Sequence, residues 1–304
     1  MREKELILFD FDGVIVDGMD EYWHSSLLAC KYFLNSKDNC SDINLNLKTS
    51  NIFISLRPWI KYGWEMVIIT HEIIKKNNPL NDQNKNSFLA NYQKNCTEII
   101  KRNSWDSENL QKCLDKAREL QISDNFDKWI SLHRPFIEVV KFIKYAKKNG
   151  YQIGIITTKG KLFTQKILKK IDINPDFLYG YESGSKTEII TNLINDYKII
   201  GFLEDRLKTL LNIVNNSQTS DVPCYLADWG YLKEDDRIDL PNTIKLLTLD
   251  DLKKSGYNIT TLCSLHNFLV SHKESLPIAC QRKCEVEAYP KSQQQCFQQL
   301  DSDS

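Results

Sequence analysis

The feature that most constrains the fold is an alternation of apolar and amphipathic segments from residue 134 to about residue 250. Five apolar segments have the length and composition of buried strands: "YQIGIITT", "DFLYGY", "KIIGFLED", "VPCYLAD" and "TIKLLTL". Four further segments carry apolar residues at helical spacing: "FIEVVKFIKYAKKNG", "KLFTQKILKKI", "KTEIITNLIND" and "RLKTLLNIVNN". This alternation predicts an α/β fold, a doubly wound parallel sheet with helices on both faces.

An earlier strand, "ELILF", is separated from this pattern by residues 19–133. Helical periodicity dominates there, in "EYWHSSLLACKYFLN", "NSFLANYQKNCTEIIKR", "SENLQKCLDKARELQ" and "NFDKWISLH", and Ser107 is the predicted N-cap of the third stretch. Within residues 55–76, "MVIIT" has the composition of a strand as well as of a buried helix, and we assign it to the helical insert. The sequence therefore predicts a sheet domain of residues 1–18 and 134–257, interrupted by a helical domain.

The C-terminal residues 258–304 are polar, rich in glutamine and without periodicity. This composition predicts a tail that is mobile or loosely docked. The tail region holds four side chains of the kinds that bind zinc, but their spacing matches no familiar zinc motif, so no zinc site is predicted from them. These side chains are His266, His272, Cys280 and Cys284.

The charge and cysteine content exclude several classes of function. Forty basic and forty acidic residues give a formal net charge of zero, so no overall field attracts nucleic acid or an anionic membrane. Only four consecutive apolar residues precede Asp10, and no other segment reaches the length of a membrane span. The nine cysteines include no CxxC pair, which favours reduced thiols and a cytoplasmic protein.

Polar side chains suited to catalysis follow the predicted strands. The first strand ends in "DFDG", and "KIIGFLED" ends in two acids. Because the carboxyl ends of parallel strands meet at one edge of a sheet, we expect these side chains to converge there. The candidate site residues are Asp10, Asp12, Thr157, Lys186, Glu204 and Asp205.

This set of side chains is suited to phosphoryl transfer. An ionised aspartate can attack phosphorus to give an aspartyl-phosphate, and a second aspartate can protonate the leaving alkoxide and then activate water. Carboxylate oxygens of Asp10, Asp205 and Glu204 are ligands of the kind that Mg²⁺ prefers. Lys186 would offset the crowded negative charge, and Thr157 would donate a hydrogen bond to the transferring group.

The motifs resemble those of the haloacid dehalogenase-like (HAD) hydrolase superfamily, in "DFDGV", in "IIT" ending at Thr157, in Lys186 and in "FLEDR". The resemblance covers residues 5–250 and implies a Rossmann-like core with Mg²⁺ as cofactor. It also implies that Asp10 is the nucleophile and Asp12 the general acid and base, with the backbone carbonyl of Asp12 on the metal. The insertion after the first motif resembles the helical cap that phosphoglycolate phosphatase-like and phosphomutase-like members carry over the active site.

One departure from the family pattern concerns the acidic motif. Thr209 stands four residues after Asp205, where relatives often have another acid, so one metal contact is uncertain. The acid at Asp12 favours phosphate chemistry, because members that act on carbon–halogen bonds lack it. We therefore expect a Mg²⁺-dependent phosphatase acting on a small phosphorylated metabolite.

Two alternatives stay open at this stage. A phosphomutase of the same superfamily would share the nucleophile, and a non-catalytic binding or regulatory protein would retain the fold. A nucleic-acid function is not expected, since no basic and aromatic stripe is present, although a nucleotide monophosphate or a phosphorylated nucleic-acid end would suit the chemistry.

A few other residues have a functional and a structural interpretation. Arg57 and Lys159 could reach a substrate from the insert and from the loop after Thr157, but a surface position is the commoner role for such residues. His24 and His133 lie in amphipathic segments and are interpreted as packing or surface residues. Asp17, where the chain enters the insert, is interpreted as a hinge residue or as the residue that starts the insert, and not as a catalytic residue.

Overall fold

The computed structural model describes residues 4–34, 43–75, 80–238 and 240–261. These residues contain eight strands: β1 (Glu5–Phe9), β2 (Val16–Asp17), β3 (Arg134–Pro135), β4 (Gln152–Ile156), β5 (Phe177–Tyr179), β6 (Lys198–Glu204), β7 (Cys224–Ala227) and β8 (Ile244–Leu247). All six strands that the sequence predicted are present. The candidate zinc ligands and most of the predicted tail lie outside the described residues.

The main sheet has six parallel strands in the order β5-β4-β1-β6-β7-β8. The chain passes from β1 to β4 and β5 on one side and then crosses back to β6 on the other side of β1. This arrangement confirms the predicted doubly wound, Rossmann-like sheet and creates a crevice at the carboxyl ends of its central strands. In the register, Phe9 at the end of β1 is opposite Ile155 in β4 and Leu203 in β6, so the residues that follow all three strands lie at one level.

The same residues contain eleven α-helices: α1 (Met19–Leu28), α2 (Asn51–Leu56), α3 (Gly63–Ile74), α4 (Lys85–Ala90), α5 (Tyr92–Asn103), α6 (Ser107–Ser131), α7 (Ile137–Lys148), α8 (Lys161–Lys170), α9 (Lys186–Leu193), α10 (Leu207–Val214) and α11 (Leu249–Lys254). Helices α7 to α10 correspond to the four that the sequence predicted beside the sheet. The short helix α11 was not predicted. Thr248 is the N-cap of α11, because its hydroxyl accepts a hydrogen bond from the backbone N–H of Asp251.

The segment between β2 and β3 is helical, as expected, but differs from the prediction in detail. "MVIIT" lies within helix α3, where every one of its residues is buried. The predicted N-cap Ser107 is wrong by one residue: Asp106 caps α6, because its carboxylate accepts a hydrogen bond from the backbone N–H of Asn109 at 2.8 Å. The predicted helices "SENLQKCLDKARELQ" and "NFDKWISLH" are joined in α6 with an interruption at Asn125.

Two short antiparallel strands mark where the chain leaves and returns to the sheet layer. Val16 in β2 pairs with Pro135 in β3, and Asp17 pairs with Arg134. An ion pair of 2.9 Å between Arg134 and Asp17 reinforces this ribbon. We call residues 18–133 the helical segment.

The helical segment and the sheet each have a cluster of buried apolar side chains. In the helical segment the cluster includes Tyr22, Phe53, Leu56 and Leu114, all fully buried. Beside the sheet, a second cluster draws on β1, β6, β7 and the helices α9 and α10. Among the described residues, no helix is long and apolar enough to cross a membrane.

Candidate active site

The end of β1 places Asp10 directly beside β6. The backbone N–H of Asp10 donates a hydrogen bond of 2.8 Å to the carbonyl of Leu203. Asp10 is 6% exposed, and its Oδ1 lies 2.7 Å from Lys186 Nζ. The same ammonium donates to Glu204 Oε2 at 2.6 Å, so Lys186 bridges the ends of two neighbouring strands.

Lys186 is held in place by the start of helix α9. Ser185 forms a capping box with Glu188: the Ser185 hydroxyl accepts from the backbone N–H of Glu188, whose side chain accepts from the backbone N–H of Ser185. Lys186 is therefore the first helical residue, and its side chain extends toward β1 and β6. As the sequence predicted, the lysine lies among the acids at the sheet edge.

Three buried carboxylates form an acidic cluster next to this lysine. Asp10, Glu204 and Asp205 each offer one oxygen, and these oxygens lie within 4.8 Å of one another. This donor set fits a hard divalent cation, which prefers carboxylate oxygens. The family resemblance places the backbone carbonyl of Asp12 on the metal, and the Asp12 carboxylate is not one of the three in this cluster.

Asp205 is fixed by backbone groups that approach it closely. Its Oδ2 accepts a hydrogen bond of 2.8 Å from the backbone N–H of Tyr231. A Cβ built on Gly13 would lie 2.0 Å from this oxygen, and one built on Gly230 would lie 2.2 Å from the Asp205 Cβ. The carboxylate therefore occupies space that only glycine leaves open at both positions.

Burial and mutual repulsion dominate the electrostatics of the cluster. The pKa of Asp10 is raised above its usual value by burial, and the charges of Asp205 and Asp12 add to the rise while Lys186 counteracts it. The pKa of Glu204 is raised in the same way, by burial and then by the charges of Asp10 and Asp205, again against Lys186. A second cation beside these carboxylates would favour their ionised forms.

Thr157 and Asp12 lie at the neighbouring positions of the same edge. Thr157 is 3% exposed, its backbone N–H donates to the carbonyl of Tyr179, and its hydroxyl oxygen accepts from the backbone N–H of Lys159 at 3.1 Å. Lys159 Nζ lies 3.4 Å from Asp12 Oδ1 and 3.1 Å from Glu21 Oε2. Lys159 is thus a buried residue of the site, and its interpretation as a surface residue is wrong.

Comparison with known proteins identifies the family. A family model described as haloacid dehalogenase-like hydrolase matches residues 4–201. The chain belongs to this HAD-like hydrolase family. The family resemblance inferred from the motifs is therefore confirmed.

Solved structures support the fold of this HAD-like hydrolase. A structure described as a predicted phosphoglycolate phosphatase from Haemophilus somnus 129PT is 16% identical, covers 84% of this chain and 98% of its own, and has a TM-score of 0.51. The protein tyrosine kinase A, PtkA, from Mycobacterium tuberculosis is 12% identical, covers 85% of this chain and 100% of its own, and has a TM-score of 0.50. No curated protein matches the chain. The different descriptions of these two neighbours show that the fold alone does not determine the reaction.

The hydrolase also buries an arginine of its helical segment beside this edge. Arg57 is 8% exposed, so its interpretation as a surface residue is wrong. Its guanidinium carbon lies 4.2 Å from the centre of the Tyr231 ring and 5.2 Å from that of Tyr22. The pKa of Arg57 is raised, because the groups around it outweigh the effect of burial. These groups are Tyr22, Tyr231, Asp205 and Asp12, in decreasing order.

The two histidines have structural contacts, in line with their interpretation as packing or surface residues. His24 Nδ1 lies 2.7 Å from Gln121 Oε1. His133 is 6% exposed and packs edge-on against the Trp129 ring, with 4.8 Å between ring centres. Burial lowers the pKa of His133 to about 4, and Lys159 adds to this effect.

The sequence did not identify Glu21 and Tyr231 as residues of the site. Glu21 is fully buried and accepts hydrogen bonds from Arg118 Nε at 2.7 Å and from Ser25 at 2.6 Å. Tyr231 donates its hydroxyl hydrogen to Asp17 at 2.8 Å. The only local signal for Tyr231 was the glycine before it, which permits the close approach to Asp205.

Proposed function

We propose that the protein is a Mg²⁺-dependent phosphatase that hydrolyses a small phosphorylated metabolite through an aspartyl-phosphate on Asp10. The observation that carries the proposal is the contact of 2.7 Å between Asp10 Oδ1 and Lys186 Nζ inside a buried cluster of carboxylates. A buried carboxylate that is kept ionised by a lysine is suited to nucleophilic attack on phosphorus. The family membership and a phosphatase-described structural neighbour support the same conclusion.

The chain's own groups account for both halves of this reaction. An oxygen of Asp10 forms a bond to phosphorus while the bond to the leaving oxygen breaks, and Asp12 gives that oxygen a proton. Asp12 then takes a proton from the water that attacks the aspartyl-phosphate, and Asp10 is released. Lys186 balances the negative charge on the transferring group, and the Thr157 hydroxyl is placed at the same edge to donate a hydrogen bond.

Mg²⁺ fits the three acids of the cluster, Asp10, Glu204 and Asp205, and when bound it would neutralise charge on the phosphoryl oxygens. Lys186 contacts both Asp10 and Glu204 and therefore does not distinguish between them, so all three acids are proposed as ligands. The family resemblance adds the backbone carbonyl of Asp12 to the set.

The helical segment is proposed to act as a cap over the sheet edge. Three of its contacts reach residues of the site: Glu21 with Lys159, Arg57 with Tyr231, and the carbonyl of Ile60 with Arg206. These contacts hold the segment against the loops that follow β4, β6 and β7. Closure would exclude bulk water from the aspartyl-phosphate until the leaving group departs.

The proposal is tested by a phosphate-release screen over phosphosugars, phosphoglycolate and nucleotides, with Mg²⁺ and with a chelator. We expect release by the wild type that needs the metal, and a loss of at least about a thousandfold in Asp10→Asn, because the nucleophile is removed. A phosphorylated chain should be trapped in the wild type and absent from the variant. Release that is equal in the two proteins would overturn the assignment, and conversion of a phosphosugar to an isomer without phosphate release would indicate a phosphomutase.

A further inference from the structure

The two buried arginines of the helical segment differ in their partners. Arg118 is paired with Glu21, at 2.7 Å from Nε to Oε1. Arg57 makes no ion pair with any carboxylate of the described residues; its Nη1 donates to the carbonyl of Ile60 at 3.1 Å. A buried guanidinium that contacts no carboxylate directly is unfavourable, so a site of this kind is expected to take an anion from outside the chain.

Two hydrogen-bond donors beside the site lack acceptors. Arg57 Nε and Tyr22 Oη are both buried, and neither forms a hydrogen bond of ordinary length among the described residues. Asp12 is near enough to Tyr22 to raise the pKa of its hydroxyl further, after the effect of burial. The two groups are neighbours, because the Arg57 guanidinium lies over the Tyr22 ring. An unsatisfied buried donor is destabilising, so two of them side by side point to a missing ligand with acceptor oxygens.

The surrounding rings hold the guanidinium in one place. The ring of Tyr231 lies edge-on to that of Tyr22, with 6.1 Å between their centres, and Arg57 contacts both rings. Tyr231 is itself fixed at both ends, by its hydroxyl to Asp17 and by its backbone N–H to Asp205. Arg57 is therefore positioned in advance relative to the acids of the site, which favours binding.

The position of Arg57 relative to the acids indicates which part of a substrate it would meet. Arg57 contacts the ring of Tyr231, whose backbone N–H binds Asp205. It also contacts the ring of Tyr22, over which Lys159, the partner of Asp12, lies at 4.9 Å. Asp10 and Lys186 lie around the position assigned to phosphorus. Asp12 is the group that would protonate the leaving oxygen. A cation that belongs to the helical segment and acts near Asp12 lies on the side of the leaving group.

We propose that Arg57 and Tyr22 form a subsite for a second anionic group, a carboxylate or a phosphate, in the leaving part of the substrate. The proposal rests on the phosphatase function above and narrows its substrates to phosphate monoesters that carry such a second anion. The planar guanidinium can bind two oxygens of this group at once, and the Tyr22 hydroxyl can donate to one of them.

The test compares three esters of similar size: 2-phosphoglycolate, ethane-1,2-diol bisphosphate and ethyl phosphate. The first carries a carboxylate in place of the methyl group of the third, and the second carries a phosphate on that methyl carbon. For the wild type we expect kcat/KM to be higher for the anionic esters by about 10- to 100-fold, the range of a charge-assisted bidentate contact of about 1.5–3 kcal/mol. The preferred anionic ester distinguishes a carboxylate subsite from a phosphate subsite.

Variants separate recognition from folding. Arg57→Gln should lower kcat/KM for the two anionic esters by about 10-fold or more beyond any change in kcat/KM for ethyl phosphate, which removes most of this preference. Arg57→Lys should keep part of the preference because it keeps the charge. Arg102→Gln is the control: Arg102 belongs to the same segment, is exposed and pairs with Glu72. Losses that are equal for all three esters in Arg57→Gln, or no preference in the wild type, would overturn the subsite. If Arg57→Gln does not fold, Arg57→Lys decides: a preference smaller than that of the wild type supports the subsite, and an unchanged preference refutes it.

A binding measurement keeps this test independent of turnover. If the wild type hydrolyses no ester, the phosphatase proposal fails, and calorimetric titration of the wild type and Arg57→Gln with 2-phosphoglycolate and ethyl phosphate still tests the subsite. Binding of 2-phosphoglycolate that is weakened in the variant, with ethyl phosphate unaffected, supports it. Equal binding by both proteins, or no binding to either, refutes it.

Discussion

Lys159 Nζ lies 3.1 Å from Glu21 Oε2, and this buried ion pair joins the loop after β4 to the first helix of the helical segment. Glu21 also binds Arg118, while Lys159 also reaches Asp12 at 3.4 Å. A chain of alternating charges thus runs from the helical segment to the proposed general acid. If the helical segment moved away from the sheet, Lys159 would separate from Glu21. Asp12 would then be the remaining carboxylate in contact with Lys159.

The first prediction concerns the charge of Glu21. In Glu21→Gln, Arg118 and Lys159 lose their shared countercharge in a buried position, so we expect the free energy of unfolding to fall by about 3 kcal/mol. Urea denaturation at neutral pH measures this change. Asp20→Asn is the matched control, since Asp20 lies in the same helical turn but is 41% exposed at its side chain and should change stability by less than about 1 kcal/mol. Equal effects of the two substitutions would contradict the assigned role of Glu21.

The sheet and the acidic part of the site could be predicted because their signals are local. A buried strand shows in a short apolar run, and parallel strands bring their carboxyl ends to one edge, so Asp10, Glu204 and Asp205 are neighbours in any such fold. Lys186 follows from the same rule, since it begins the helix that precedes β6.

The residues contributed by the helical segment could not be predicted in this way. Glu21 and Arg118 are separated by 97 positions and meet only when α1 packs against α6. Arg57 lies in a short helical turn whose sequence gives no sign of burial between two tyrosine rings. These contacts depend on how helices that are distant in the sequence pack together. The periodicity of a single sequence does not show which helices pack against each other.

The second prediction concerns Lys186. Its replacement by Met leaves the carboxylates of Asp10, Glu204 and Asp205 crowded without their lysine, so we expect phosphate release to fall by at least about 100-fold. The melting temperature should fall in metal-free buffer, and excess Mg²⁺ should raise it by more than in the wild type, because the cation relieves the repulsion. Differential scanning calorimetry with and without Mg²⁺ measures both effects. Lys198→Met is the control: Lys198 is exposed, so this variant should behave as the wild type. The prediction is refuted if Mg²⁺ raises the melting temperature of Lys186→Met by no more than that of the wild type.

The third prediction concerns His133 and acid pH. Burial and then Lys159 lower its pKa to about 4, with Glu21 and Asp12 acting in the opposite direction and Arg118 adding to the decrease. Between this value and the 6.5 of an ordinary histidine, the unfolded chain binds more protons than the folded protein. The contribution of His133 to stability is therefore fully present above pH 6.5 and is lost as the pH falls toward 4.

We expect this loss to be roughly 3 kcal/mol from the difference between the two pKa values. Urea denaturation of the wild type and His133→Gln at pH 7 and near pH 4 measures it, since the carboxylates that titrate in both proteins cancel in the comparison. The variant should lose less stability on acidification than the wild type. The same loss in both proteins would show that His133 is not the titrating group.

The fourth prediction compares two glycines with positive φ angles. Gly13 has φ +90° and Gly150 has φ +86°, so alanine is strained at both positions. They differ in their surroundings: a Cβ on Gly13 would lie 2.0 Å from Asp205 Oδ2, whereas a Cβ on Gly150 would meet nothing within 4 Å. The pair therefore separates backbone strain from displacement of a proposed metal ligand.

We expect Gly150→Ala to lower the free energy of unfolding by about 1 kcal/mol from strain alone and to keep full phosphate release. Gly13→Ala should lower it by about 1–3 kcal/mol more, because Asp205 must move away from the new methyl group. Since Asp205 would leave the acidic cluster, phosphate release by Gly13→Ala should fall by about 100-fold or more and should need more Mg²⁺ for half-maximal activity. Urea denaturation and a Mg²⁺ titration of phosphate release measure these effects. If Gly13→Ala and Gly150→Ala need the same Mg²⁺ concentration for half-maximal activity, Asp205 does not hold the metal.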